Sequence, residues 1–411
     1  MGQLLSHPLT EKTIECNDYR DIVQAYNSVG DAAFTNGKTR LPRFYNCVGT
    51  MQGYRLTQED AHLVVNEDKT IYVKFFNPFK NSTEELTMSI FALFDGHGGD
   101  NCSNFLSGGR HNSGNSKSKG IAKWIAYSFE RHGYGAYVRV KNNDDDDKED
   151  NPQYKVSPPN TKRAFKTMQG LIMQILKDAF FLQDQELYQY FANSSCGSTA
   201  VVAVIINFQD LYVVNGGDSR CILSSKSLGV KTMSFDHKPQ HIGELLRIND
   251  NGGTVSLGRV GGVLALSRAF GDFQFKRGVY YSNNKYNGYK LKQSSGVPPQ
   301  ESQVTVEPDV LMHKIDYNRD EFLVLGCDGI WDIYSNKQLV QFIKYHLTLG
   351  VSLDGIVAKI LDHGIAQANS NTGVGFDNMT VIIVVFNKPN ETLQDWCTKM
   401  KFRLERERGL S

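Results

Sequence analysis

A chain of 411 residues with 40% hydrophobic content can bury one large core or two smaller ones. Its 45 basic residues nearly balance 44 acidic ones, for a net charge of +1, which excludes a whole-chain field that draws nucleic acid or anionic lipid. The seven cysteines are odd in number and never form a CxxC pair, so they indicate neither a disulfide framework nor a zinc knuckle and fit a reducing compartment.

At the N-terminus there is no basic start followed by an apolar run, as a secretory signal requires. Met1-Gly2-Gln3-Leu4-Leu5-Ser6 instead matches the N-myristoylation pattern, with Gly2 as the acceptor. One acyl chain alone gives only weak, reversible membrane attachment. Residues 1–43 show no sustained period and read as a tail or loosely packed arm, and folding proper begins near Phe44. Short β-branched and aromatic runs then predict strands at Thr70–Phe76, Met88–Phe94, Thr199–Ile206, Leu211–Val214, Glu321–Leu325 and Met379–Phe386. All are far shorter than the ~20 apolar residues that cross a bilayer.

Helical spacing joins Phe165, Met168, Ile172, Ile175, Leu176 and Ala179, and again Leu353, Ile356, Val357, Ile360, Leu361 and Ile365 with Ser352 as N-cap. Further helices are expected at Ile121–Phe129 and Asn336–Leu347. Insertions are expected near 107–162, where Asp144–Asp147 reads as a solvated acidic loop, and near 275–303. The stretch 390–411 predicts a helical tail whose Leu393, Trp396, Cys397, Met400 and Leu404 share one face and dock on the parent domain. Strands and helices mix throughout, which indicates a layered domain with helices covering sheet faces.

Acidic and basic residues recur at the ends of these apolar runs. FALFDGHGGD places Asp95, Gly96 and His97 after a strand; MQGYRLTQEDAH supplies Arg55, Glu59 and Asp60; LGCDGIWD supplies Asp328 and Asp332; GFDNMTVIIVVF supplies Asp377. Carboxylates converging from several strand ends with no interleaved Cys or His make an all-oxygen site, which suits Mg²⁺ or Mn²⁺ better than Zn²⁺. Gly96, lacking a Cβ, can bring its carbonyl to a cation. Imidazole titrates near ~6.5, so His97 can donate a proton near neutrality, and the Arg55 guanidinium can grip phosphate through paired N–H groups. Each residue alone is more often a cap, a turn or a salt-bridge partner; their joint recurrence at strand ends carries the reading.

With CGSTAVV, VVNGGDSR, DHKP, GRVGGVLALSRAFGD, EPDV and DNMTVIIV, these motifs follow one another in the order found in type-2C protein phosphatases, the metal-dependent serine/threonine family. The chain resembles that family from about Phe44 to Asn387, and its start MGQLLSHP resembles fungal members.

The resemblance implies an α+β fold, a four-layer αββα sandwich of two antiparallel sheets flanked by helices with a di-metal site at one end. It implies that residues 44–389 form the catalytic domain. Asp95 would bridge two Mg²⁺ or Mn²⁺ ions, with Glu59, the Gly96 carbonyl and, through water, Asp60 on one side and Asp328 and Asp377 on the other. A third, weaker ion would involve Asp218, Asp328 and Asp332. Arg55 would bind the substrate phosphate and His97 would be the general acid, while a metal-activated water attacks phosphoserine or phosphothreonine.

Tyr54 stands where the family usually has Trp, His237–Asp272 corresponds to a flap beside the active site, and the excursion after it is longer than usual. The implied partners are phosphoproteins, among them phosphorylated kinases in signal transduction. A cytoplasmic monomer, in part membrane-associated or nuclear, is expected. A binding module without catalysis is disfavoured by the intact motif residues, and a nuclease by the near-neutral charge.

Overall fold

Residues 4–17, 43–66, 69–109, 120–131, 165–226, 229–276, 299–389 and 391–408 are described by a computed structural model. The strands through the first half of the chain are β1 (Leu4–Asn17), β2 (Phe44–Arg55), β3 (Ala61–Val65), β4 (Ile71–Asn77), β5 (Ser82–Phe94) and β6 (Gly96–His97). Three helices follow, α1 (Asn101–Leu106), α2 (Gly120–Arg131) and α3 (Met168–Phe191). Next come β7 (Gly197–Ser198), β8 (Ala200–Ile206), β9 (Asp210–Gly216), β10 (Arg220–Ser225), β11 (Gly229–Thr232) and helix α4 (Ile242–Asp250). The rest comprises β12 (Val255–Ser256), β13 (Arg259–Val260), β14 (Phe270–Gly271), β15 (Asp309–Lys314), β16 (Asp320–Gly326), α5 (Asp328–Trp331), α6 (Asn336–Thr348), α7 (Leu353–Ala366), β17 (Met379–Phe386) and α8 (Leu393–Glu407).

The chain divides into two units. The first comprises Met1–Gln58, Cys221–Thr232 and Ile315–Ser411, the second Glu59–Arg220 and Met233–Lys314. Each is built on one antiparallel sheet, and the expected α+β class with two antiparallel sheets accompanied by helices is borne out.

In the first unit the strand order is β1-β2-β17-β16-β10-β11. β17 is buried at every position, which is why its sequence is a continuous apolar run and not an alternating one. Helix α7 crosses β2 at Gly49, where a Cβ would overlap Val357, so glycine sets how closely the helix approaches. α6 begins on a capping box made by Ser335 and Gln338. Ser352 is the N-cap residue of α7, as its sequence position predicts, but its side chain makes no capping bond. In α8 the expected apolar face docks: Trp396, Met400 and Leu404 are buried, with Trp396 edge-on to Phe322 at 6.4 Å between centroids.

Two sequence expectations are corrected here. Leu4–Asn17 is no loose arm: it forms β1, pairing antiparallel with β2 from Arg55 to Asn46. Its signal is faint because it is an edge strand with no fully buried position, and with Pro8 and two register shifts along it. The expectation of no disulfide also fails. Cys16 and Cys47 face one another in the β1–β2 register, 4.1 Å apart at Cα, and are joined as a disulfide. Cysteine counting and CxxC spacing cannot reveal a pair created by strand register.

In the second unit the order is β15-β9-β8-β5-β3, with β4 also on β5. β5 and β8 carry the centre of a large apolar cluster that α1, α2 and α3 complete with residues such as Phe105, Ile125 and Leu176. α3 starts where Thr167 accepts from Gly170 N–H and runs well past the predicted Phe165–Ala179 pattern. A separate three-stranded piece, β14-β7-β6, links Phe270–Gly271, Gly197–Ser198 and Gly96–His97. The expected insertions fall mostly on 110–119, 132–164 and 277–298, and these, with Asp144–Asp147 and Gly2, lie outside the described residues.

Candidate active site

In the second unit Asp95 follows directly on β5 and precedes β6. Thr199 holds its backbone from both sides: Asp95 N–H donates to Thr199 Oγ1 at 3.2 Å, and Thr199 N–H donates to the Asp95 carbonyl at 2.9 Å. Thr199 Oγ1 lies 2.7 Å from Ser219 Oγ, beside Asp218. The CGSTAVV and GGDSR motifs therefore fix the residue on which the reading depends.

A carboxylate oxygen of Asp95 lies within 4.8 Å of one from Asp60, and likewise within 4.8 Å of one from Asp218. Hard cations bind oxygen at about 2.1–2.4 Å, so two ligands of one ion stand at most about 4.2–4.8 Å apart. The spacing and the oxygen donors both fit a divalent hard cation. Asp218 is buried and pairs with Lys238, the lysine of DHKP.

Gly96 is buried against the backbone of Glu59, whose carbonyl a Cβ at position 96 would overlap. The same carbonyl accepts from Ser103 Oγ at 2.5 Å, so α1 anchors the Glu59–Asp60 turn. His97 places Nε2 2.7 Å from Asp272 Oδ2. Burial opposes its protonated form, but the charge and hydrogen bond of Asp272, with help from Asp218, outweigh burial and raise its pKa above the usual imidazole value. The sequence reading brought Asp272 in only as the end of the flap segment; its signal, the last residue of SRAFGD, becomes legible once β14 is seen to pair with β7.

In the first unit Arg55 ends β2 and forms an ion pair with Asp377. Asp377 Oδ1 accepts the Asn378 N–H at 2.8 Å. The Asn378 side chain donates to the carbonyls of Gln52 at 2.8 Å and Thr57 at 3.1 Å, pinning the end of β2 beside the turn that enters β17. Asp328 is the first residue of α5 and Asp332 closes it, with Asp332 N–H on the Asp328 carbonyl at 2.8 Å and its side chain exposed. Gly329 packs so closely on the Asn378 carbonyl that a Cβ would overlap it, which brings the Asp328 and Asp377 turns against each other. Cys327 completes this junction by accepting Thr380 N–H on Sγ at 3.1 Å. Asn378 and Cys327, given no role from the sequence, are what hold the two acidic turns together.

Residues 141–373 match the family model described as "Protein phosphatase 2C". Protein phosphatase 2C homolog 4 of Saccharomyces cerevisiae is 66% identical over 420 residues, covering 100% of both chains. Protein phosphatase 2C homolog 2 of Schizosaccharomyces pombe is 32% identical, over 96% of this chain and 81% of its own. Among solved structures, a phosphatase from a pathogenic strain of Toxoplasma gondii superposes with a TM-score of 0.55 at 20% identity, over 92% of this chain and 98% of its own. The order of the motifs, the two antiparallel sheets and these likenesses agree, and the chain belongs to the protein phosphatase 2C family of metal-dependent serine/threonine phosphatases.

Proposed function

We propose that this phosphatase holds two Mg²⁺ or Mn²⁺ ions on Asp95, Glu59, the Gly96 carbonyl, Asp328 and Asp377, with Asp60 as a water-mediated ligand and a third, weaker ion on Asp218, Asp328 and Asp332. The observation that carries the reading is Asp95 with the carboxylates of Asp60 and Asp218 gathered about it. When bound, such ions supply Lewis-acid polarisation of phosphate and a water acidic enough to attack phosphorus near neutral pH.

The chain's own residues do the remaining work. Arg55 grips the phosphate oxygens through its planar fork, exchanging its Asp377 partner for the substrate. His97 gives a proton to the departing serine or threonine oxygen. The substrates are phosphoproteins, and activated kinases phosphorylated on a loop are the class we favour in a signalling role. Gly2 is the acceptor for a myristoyl chain that attaches an otherwise cytoplasmic monomer weakly to membrane. No helix among the described residues is long and apolar enough to cross a membrane.

The deciding experiment is hydrolysis of a phosphothreonine peptide. Chelation is expected to abolish it and Mn²⁺ or Mg²⁺ to restore it, while Asp95→Ala loses at least about 10³-fold in turnover with an unchanged circular dichroism spectrum. A chelator-resistant rate, or an active Asp95→Ala enzyme, overturns the assignment.

A further inference from the structure

The proton that leaves His97 must come from one particular ring nitrogen, and the surroundings of the ring decide which. Nε2 lies 2.7 Å from Asp272 Oδ2, and the Asp272 side chain is only 2% exposed. A carboxylate so buried is costly unless it is paired, and the imidazole is its hydrogen-bond partner here. The pair is built by the three short strands. β7 lies between β6 and β14, with His97 opposite Gly197 in one register and Gly271 opposite Gly197 in the other. Gly197 has no side chain, and a Cβ there would overlap both His97 Nε2 and Asp272 Oδ2. The gap left by that glycine is the space in which the bond forms.

Asp272 is also held independently of the histidine. Its backbone sits in the left-handed region at φ 49°, a conformation that persists only where neighbours enforce it. Its N–H donates to the Cys196 carbonyl at 3.1 Å. On its flanks, Gly271 N–H donates to Asp184 Oδ1 at 2.8 Å, and the Lys276 ammonium pairs with Oδ2 of the same Asp184, on α3, at 2.7 Å, both side chains being fully buried. A buried ion pair thus clamps the turn on both sides of Asp272 while leaving its carboxylate to the imidazole.

We propose that Asp272 is a positioning residue for His97: its carboxylate accepts Nε2–H, fixes the ring, and leaves Nδ1–H as the proton that is transferred. This rests on the general-acid reading of His97 given above. In the step, the bond from phosphorus to the serine or threonine oxygen breaks with its electron pair on that oxygen, which takes the proton from Nδ1. The bond from the attacking water oxygen to phosphorus forms, the proton shed by that water passes to solvent, and solvent reprotonates Nδ1 before the next turnover. Nε2–H stays on Asp272 throughout. The relation is that of a buried carboxylate holding a catalytic histidine in one tautomer.

The test compares kcat on a phosphothreonine peptide, whose leaving oxygen needs a proton, with kcat on p-nitrophenyl phosphate, whose leaving group does not. His97→Gln and Asp272→Ala are both expected to lose about 10-fold or more beyond their aryl phosphate loss when assayed on the peptide. The double variant is expected to stay within about 2-fold of His97→Gln on the peptide, because the two side chains act as a unit. Asp272→Asn keeps an accepting oxygen and is expected to lose less than Asp272→Ala, with the same peptide bias; it also carries the test where the alanine variant does not fold. An Asp272 loss equal on both substrates, or a double variant whose losses multiply, overturns this inference while leaving a biased His97→Gln intact. An even loss for His97→Gln itself overturns the parent reading and this one together.

Discussion

Thr199 makes the dependence of chemistry on a neutral hydroxyl measurable. Its Oγ1 is the acceptor for Asp95 N–H and the partner of Ser219, so Thr199→Val keeps the shape and strands both groups. Leaving buried polar groups unpaired costs about 1–3 kcal/mol each. Thr199→Val is therefore expected to destabilise the fold by that order, read as a lower urea midpoint, and to reduce kcat about 10-fold, as Asp95 loses one of its two backbone anchors, whereas an exposed hydroxyl such as Thr398 should tolerate the same change.

The sequence made Asp95, Glu59 and Arg55 legible because strand ends and motif order mark them. It left Thr199, Asn378 and Asp272 without roles because each acts through a neighbour that only the fold supplies: Thr199 through Asp95, Asn378 through the carbonyls of Gln52 and Thr57, Asp272 through His97.

Among elements, α8 shows how a helix with a strongly charged outer face is fastened. Glu321 on β16 is 3% exposed and accepts from Ser224 Oγ at 2.6 Å, pairs with Lys344 of α6 at 2.7 Å, and pairs with Arg403 of α8. Removing one member of a buried ion cluster leaves the others uncompensated, at about 3–5 kcal/mol for a fully buried case. Lys344 and Arg403 keep about a fifth of their side-chain surface, so Glu321→Ala is expected to cost nearer 2 kcal/mol, read as a lower urea midpoint, with α8 released first in hydrogen exchange.

The amphipathic face of α8 was readable from spacing. The Glu321 anchor was not, since a charged residue opening an apolar run looks from sequence like a strand's solvent-facing end. β1 failed for the complementary reason: an edge strand needs little apolar content, and its pairing with β2 is written in backbone bonds.

For the molecule as a whole, pH reveals which charges are built in. Glu244 is buried, yet the bidentate bond and charge of Arg268, with Arg247 beside it, outweigh burial and hold its carboxyl at about 2, below the usual 4.5. A carboxyl depressed on folding stabilises fully above its unfolded value and loses that contribution as pH falls toward the folded one. The stability of the wild-type protein should thus decline between about pH 4.5 and 2, and Glu244→Gln should flatten the urea midpoint over this window while being less stable at neutral pH. An unchanged slope would show that Glu244 does not hold this charge linkage. The near-neutral total charge gave no hint of such a cluster, because balance over 411 residues says nothing of who stands beside whom.

The Cys16–Cys47 bond closes the chain into a covalent ring that contains residues 18–42. A protease cutting once anywhere inside that ring would not liberate a fragment. The nicked protein would migrate on a denaturing gel as a single species without thiol and as two with it, and β1 would stay covalently tethered to the sheet until a reductant broke the disulfide.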